Sequence, residues 1–225
     1  MSAARVKRGK APKGKLTEGN YRKKALSSLL RDFEKRCAYC LDPDEFRHPS
    51  LNHVDHFNCK IHGRRRHQYK NLMLSCAACN QTKHDKPVVN PFDKSQRLLN
   101  CTEENEFPQH VVEADDGQWM GKTPEGEYHL AAIGLQENCH KAKRQARRKM
   151  AERILGLLTQ AIQYESHNPP GLHKQVMGTV WDTLDVLENF PPMVTENGVK
   201  PVREWLAEKG LDVALLANPA VSPKG

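Results

Sequence analysis

Two short cysteine pairs, Cys37-Ala-Tyr-Cys40 and Cys76-Ala-Ala-Cys79, constrain what this chain can fold into more than any other feature. Set in a turn, the CxxC spacing brings two thiolates to one cation, and two such knuckles fill the tetrahedral shell that zinc prefers. A structural Zn²⁺ held by Cys37, Cys40, Cys76 and Cys79 is the expectation, with chance cysteines or a redox pair as the competing readings. The 35 residues between the pairs exceed the interval usual for two zinc knuckles, so the metal would clamp the ends of an inserted unit. Cys59, Cys101 and Cys139 have no such spacing. An odd total of 7 cysteines behind an N-terminus without an apolar leader argues against a disulfide framework, and these three are read as ordinary free thiols.

The inserted unit begins with "LNHVDHF", which alternates as a short strand does: Leu51, His53 and Asp55 on one face, Asn52, Val54 and His56 on the other. A basic loop, "CKIHGRRRHQY", follows. Then come Lys70-Asn71-Leu72-Met73-Leu74 and "SCAACNQTKHDK", which reads as a turn opening a short helix. The order is strand, loop, strand or turn, helix, clamped at its base by the cysteines.

Cys37/Cys40, Asp55-His56, Asn71-Leu72, Cys76/Cys79, Asn80 and Lys83 stand in an order that resembles the HNH endonucleases of the ββα-metal fold, in the branch framed by two zinc knuckles. The resemblance covers about residues 30–90. It implies a nuclease in which Asn80 is the second protein ligand of the catalytic cation and Asn71 ties the loop that orients His56. The chemistry explains the residue types. Hydrolysing a phosphodiester requires a base to activate water, a cation to neutralise developing charge and a grip on the phosphate. His56 suits the base, since an imidazole with the usual pKa of about 6.5 accepts a proton at neutral pH. Asp55 supplies the hard anionic oxygen that Mg²⁺ or Mn²⁺ prefers. Lys83, one helical turn after Asn80, is placed to stabilise the transition state. Asn80 stands where the simplest family pattern has His, which favours an oxygen site over a nitrogen-rich one, and His84, at i+4 from Asn80, is a further candidate ligand. Arg64, Arg65 and Arg66 add three cations on the intervening loop, where they would meet a nucleic-acid backbone.

The net charge of +8 is uneven: residues 1–36 hold 12 Lys and Arg against 3 Asp and Glu. The arm is expected to be disordered to about Leu16 and to hold polyphosphate by counterion release, with a solubilising tail as the plainer reading. A second basic run, Lys141, Lys143, Arg144, Arg147, Arg148, Lys149 and Arg153, is opposed within its own segment only by Glu152. It is read as a solvated helix face or a nucleic-acid contact through Arg144, Arg147 and Arg148. The stretch "GQWMGKT" is one residue short of a phosphate-binding P-loop and lies beside Asp115-Asp116, so no ATP site is assigned. Its flanks, "QHVVEA" and "EYHLAAI", are expected to pair as a β-hairpin.

From Leu135 onward the pattern is helical, with Met150, Ile154, Leu157, Leu158 and Ile162 as an apolar stripe. Further helices are expected over about Leu172 to Asn189 and Pro201 to Leu216, ahead of a loose tail. The expected fold is α+β: a zinc-clamped ββα-metal core with a β-hairpin element and a helical C-terminal region. Its divisions are 1–29 (basic arm and first helix), 30–90 (nuclease core), 91–134 (hairpin element) and 135–225 (helices). The "NPF" stretch, the hairpin and "IGLQ" leading into a helix resemble, less specifically, the HNH subunits of bacterial anti-phage systems such as Septu and related retron modules. That resemblance implies a separate ATPase partner. Without an apolar run long enough to span a membrane, a cytoplasmic protein with no membrane association is expected. A DNA nuclease accounts for Asp55, His56, Asn71, Asn80 and Lys83 together. The alternatives, a zinc module that binds nucleic acid without cutting it and a scaffold subunit, leave the Asp-His pair unexplained.

Overall fold

Helix α1 (Tyr21–Asp32) is set by its apolar spacing: Tyr21, Ala25, Ser28, Leu29 and Asp32 recur on one buried face. It ends in two non-glycine residues with positive φ, Glu34 and Lys35, and the Lys35 N–H donates to the Leu30 carbonyl at 2.8 Å. This closes the helix in the manner of a Schellman turn. The computed structural model describes residues 6–43, 52–103, 106–164, 170–188, 192–195 and 198–210. Leu51, Asn168-Pro169, the side chains of Cys139, Leu158 and Ile162, and the chain from Leu211 onward lie outside them.

The strands β1 (Asn52–His56) and β2 (Leu72–Cys76) pair antiparallel, with Asp55 opposite Met73 and His56 opposite Leu72. Helix α2 (Ala77–Lys83) leaves directly from β2. The result is the expected strand, loop, strand, helix order. One contiguous core joins α1, this hairpin, Leu98, Leu99 and the elements that follow: α3 (Glu106–His110), the hairpin β3 (Val111–Glu113) and β4 (Trp119–Gly121), and α4 (Pro124–Ile133). A second core lies between α5 (Asn138–Tyr164), α6 (Pro170–Glu188) and α7 (Val202–Glu208), reached through the hairpin β5 (Met193–Thr195) and β6 (Gly198–Lys200). The mixture of helices and small antiparallel hairpins is the expected α+β class. Among the described residues no helix is long and apolar enough to cross a membrane.

Three expectations are corrected. The arm is packed from Val6 onward: Val6 N–H donates to the Cys101 carbonyl at 3.0 Å and Gly9 N–H to Asp32 at 2.8 Å. The Arg8 guanidinium lies over the Phe33 and Tyr69 rings and donates to the Tyr69 and Leu72 carbonyls. A polar composition predicts disorder only where no distant acceptors and rings await the cations, and here they do. Next, "EYHLAAI" is helical. Thr123 caps α4 by accepting the Gly126 N–H, Pro124 opens it, and Gly134 ends it at φ 71°, so start and stop signals on both sides fix a helix where a strand is expected. A Cβ on Gly126 would meet the His110 carbonyl oxygen at 2.0 Å, which is why a glycine sits where the first turn of α4 packs on the end of α3.

The third correction concerns the basic run. Arg144 and Arg147 are buried: Arg144 donates to the Gly117 and Leu135 carbonyls and lies 4.8 Å over Trp119, while Arg147 pairs with Glu113 and donates to the Pro192 carbonyl. Arg148 also pairs with Glu113, at 2.8 Å, and with Asp115. Lys141 and Lys143 meet Asp116 and Asp42. Four of the run's seven cations meet acids brought in from elsewhere in the chain, and its buried arginines fasten α5 to the β3–β4 hairpin. Removing the shared acid takes the carboxylate from the fully buried Arg147 and leaves Arg148 only that of Asp115. Glu113→Ala is expected to cost about 3–5 kcal/mol, the usual penalty for breaking a buried pair, seen as a fall in the urea midpoint at constant slope; a fall worth less than ~1 kcal/mol refutes this.

His129, on α4, makes the fold acid-sensitive. It is fully buried, its Nδ1 accepts the Leu99 N–H at 3.1 Å, and its Nε2 faces the Tyr39 carbonyl at 3.4 Å. Burial lowers its pKa to about 4. The folded state therefore resists a proton that the unfolded chain takes up below about 6.5. This group's contribution is complete above that pH and is lost progressively as pH falls from there toward 4, by on the order of 3 kcal/mol. His129→Gln should flatten the dependence of unfolding free energy on pH across that window, and an unchanged slope would count against the assignment.

Candidate active site and metal centre

The two knuckles are built by backbone hydrogen bonds. Cys37 N–H donates to the Asp42 carbonyl at 2.8 Å and Leu41 N–H to the Cys37 carbonyl at 3.0 Å, which closes the first turn; Ala38 N–H hangs it on the Leu74 carbonyl of β2. The second knuckle straddles the start of α2, where the Cys76 sulfur accepts the Cys79 N–H at 3.3 Å and serves as N-cap. Cys37 in turn accepts the Cys76 N–H at 3.4 Å. All four sulfurs are buried and lie within 4.8 Å of one another, and none of the six described cysteines is in a disulfide. Four converging soft donors, with backbone N–H groups aimed at the Cys37 and Cys76 sulfurs, are compatible with a bound zinc ion.

At the end of β1 the strand's alternation sends Asp55 and His56 to opposite faces. Asp55, its side chain 11% exposed, faces α2: its Oδ2 accepts Tyr39 Oη–H at 2.5 Å and pairs with Lys83 Nζ at 2.8 Å. Lys83 is fully buried and also donates to the His56 carbonyl at 2.8 Å. It therefore clamps carboxylate and strand together. Asn80 precedes Lys83 by three residues on α2, hence on the same helix face. No bond to Asp55 Oδ1 is present among the described residues, so one hard oxygen remains for a cation.

His56 faces α1 and is 6% exposed. Tyr21 lies against its ring at 4.7 Å. One ring nitrogen, Nε2, is 3.1 Å from His67 Nδ1, and His67 Nε2 is 3.0 Å from a Glu18 carboxylate oxygen. Burial first, then Arg66 and His67, bring the His56 pKa down to about 4, which keeps the imidazole neutral and proton-accepting at neutral pH. Asn71 closes the loop between the strands. Its Oδ1 accepts the Asn58 N–H at 2.9 Å, and its Nδ2 donates to the Asn58 and Arg66 carbonyls. Arg64 and Arg65 are exposed on a short 3₁₀ turn, while Arg66 carries a buried Nε without a hydrogen-bond partner.

The structure thus brings together Asp55, Lys83 and the backbone of His56, with Asn71 and Arg66 on the adjoining loop. It separates others. His84 has left the helix (φ 43°, ψ −113°) and is largely exposed against Asp85, because an i+4 relation to Asn80 holds only while the helix continues. Arg144, Arg147 and Arg148 are committed to the α5 network described above. Three participants escaped the sequence reading: Tyr39, Glu18 and His67. Tyr39 was visible as a hydroxyl in the middle of a knuckle, but nothing local links Glu18 or His67 to His56.

The model of the HNH endonuclease family matches residues 37–86. This segment is similar to an HNH endonuclease domain. No curated protein and no solved structure matches the chain. The HNH domain contains both knuckles, β1, β2 and α2, and it associates the chain with metal-binding nucleases whose substrate is nucleic acid. Tyr21 and Glu18, which cover and orient the His56 side, lie outside the matched residues, as does all of α5.

Proposed function

We propose that the HNH domain is a divalent-metal-dependent endonuclease that hydrolyses phosphodiester bonds in DNA, with Zn²⁺ on Cys37, Cys40, Cys76 and Cys79 as a structural metal. The observation that carries this reading is the clamp at the end of β1, where Lys83 holds both the Asp55 carboxylate and the His56 carbonyl. Asp55 Oδ1 and Asn80 would hold Mg²⁺ or Mn²⁺, which when bound neutralises charge on the scissile phosphate and the leaving oxygen. His56, neutral and held through Nε2 by His67, takes the proton of the attacking water on its other ring nitrogen. Lys83 and Tyr39 fix the orientation of Asp55 by occupying its Oδ2. Asn71 keeps the loop closed, and Arg64, Arg65 and the partly exposed Arg66 track the phosphate backbone beside it.

The test is plasmid cleavage by the purified chain in Mg²⁺, Mn²⁺ and EDTA, with DNA binding followed in parallel. Cutting that requires the divalent cation supports the reading. Binding without cutting under every condition favours the alternative of a zinc-stabilised binding or scaffold subunit. A second reading, in which the nuclease is the effector of an anti-phage system and acts with a separate ATPase, is favoured by Phe92 of the "NPF" stretch, which is 97% exposed. Under that reading the chain alone is silent and cuts when the ATPase is added, and Phe92→Ser abolishes their association.

A further inference from the structure

His140, in the first turn of α5, lies outside the HNH domain and is 4% exposed. Its Nε2 is nevertheless 4.0 Å from Cys79 Sγ. The other ring nitrogen, Nδ1, is buried without a hydrogen-bond partner and lies 4.0 Å from Asp42 Oδ2, beyond hydrogen-bonding reach. Asp42 follows the first knuckle by two residues. Cys40, Asp42 and His140 each bring a donor atom within 4.8 Å of the others. A buried imidazole with one nitrogen unsatisfied costs free energy, and apolar packing alone would be served better by leucine. What the position does supply is an N–H beside a sulfur.

We propose that His140 is a hydrogen-bond donor to the zinc centre, giving its Nε2–H to the Cys79 thiolate and so making α5 part of the metal site. The inference rests on the reading of the four cysteines as a zinc site. Four thiolates on Zn²⁺ carry a net charge of about −2 in a buried place, and N–H donors that share this charge hold the metal more tightly. Cys37 and Cys76 receive theirs from the backbone inside the knuckles. Cys79 receives its donor from a helix that begins some sixty residues later in the chain, as the separation of 61 between Cys79 and His140 records. Metal binding therefore fastens the helical region to the HNH domain, and the matched domain cut out alone would hold zinc less well than the full chain.

The experiment uses the full-length protein. Zinc content is measured first: a wild-type chain purified from zinc-replete medium without zinc overturns the reading of the cysteines, separately from anything said of His140. Zinc affinity is then compared by chelator competition among wild type, His140→Leu and His140→Gln. Loss of the donor should weaken binding by about 10–100-fold, and glutamine, which keeps an N–H, should restore much of it. In the Co²⁺-loaded protein the sulfur-to-cobalt charge-transfer band should move to lower energy in His140→Leu, because the thiolate loses its hydrogen bond, a change that a purely packing role would not produce. Equal affinities with an unshifted band overturn the proposal, as does a spectrum in which His140 replaces a cysteine in the coordination shell. If His140→Leu does not fold, His140→Asn serves in its place, since its shorter side chain withdraws the donor while staying polar.

Discussion

Replacing His56 with glutamine should lower DNA cleavage by about 10²–10⁴-fold, the usual contribution of a positioned general base, while DNA binding and the zinc content stay at wild-type levels. Glutamine is chosen over alanine because the ring is packed against Tyr21 and His67, and truncation to alanine would leave a cavity whose cost could be mistaken for a catalytic effect. The melting temperature of the variant should stay within a few degrees of wild type. Retained cutting would remove His56 from the base role and direct attention to His67, the other imidazole in the same chain of contacts. The deciding measurement is single-turnover cleavage with saturating protein, where chemistry and binding are read separately.

Changing Cys40 to serine should unfold the HNH domain. Structural zinc contributes about 10–16 kcal/mol in isolated zinc-finger peptides, comparable to the whole of the roughly 5–15 kcal/mol that holds a typical domain together. Beyond the lost ligand, the first knuckle carries Tyr39, and Tyr39 holds Asp55, so loosening the knuckle disorders the candidate site even where part of the core persists through α1 and α4. The expected result is loss of bound zinc together with loss of the cooperative thermal transition by circular dichroism; chelation of wild type should do the same reversibly. A soluble, metal-free variant with wild-type melting behaviour would refute a structural metal at these cysteines.

The cysteine spacing, the Asp-His strand and the helix opening at Cys76 were legible because each depends on residues a few positions apart. A CxxC turn and a two-residue side-chain alternation are set by local backbone geometry, and they are the same wherever the segment lies. The same is true of α4, whose Thr123 cap, Pro124 and Gly134 were present to be read and were outweighed by composition. Where the local signal stops short, charge misleads in one direction, because a cation looks solvated until its distant partner is known. Arg8 looked like part of a floating arm, and Arg144 and Arg147 like an exposed basic face.

Sequence alone determined that this chain carries a cysteine-clamped strand–loop–strand–helix unit of the HNH family with Asp55 and His56 on opposite faces of one strand. Tertiary structure decided which cations are held inside the fold, that Lys83 supports Asp55 from behind, that Glu18 and His67 back His56, and that His140 lies beside Cys79. The reason is that an ion pair or a buried hydrogen bond gains its strength from desolvation and a distance of about 3 Å, and neither quantity exists until segments far apart in the chain have packed together.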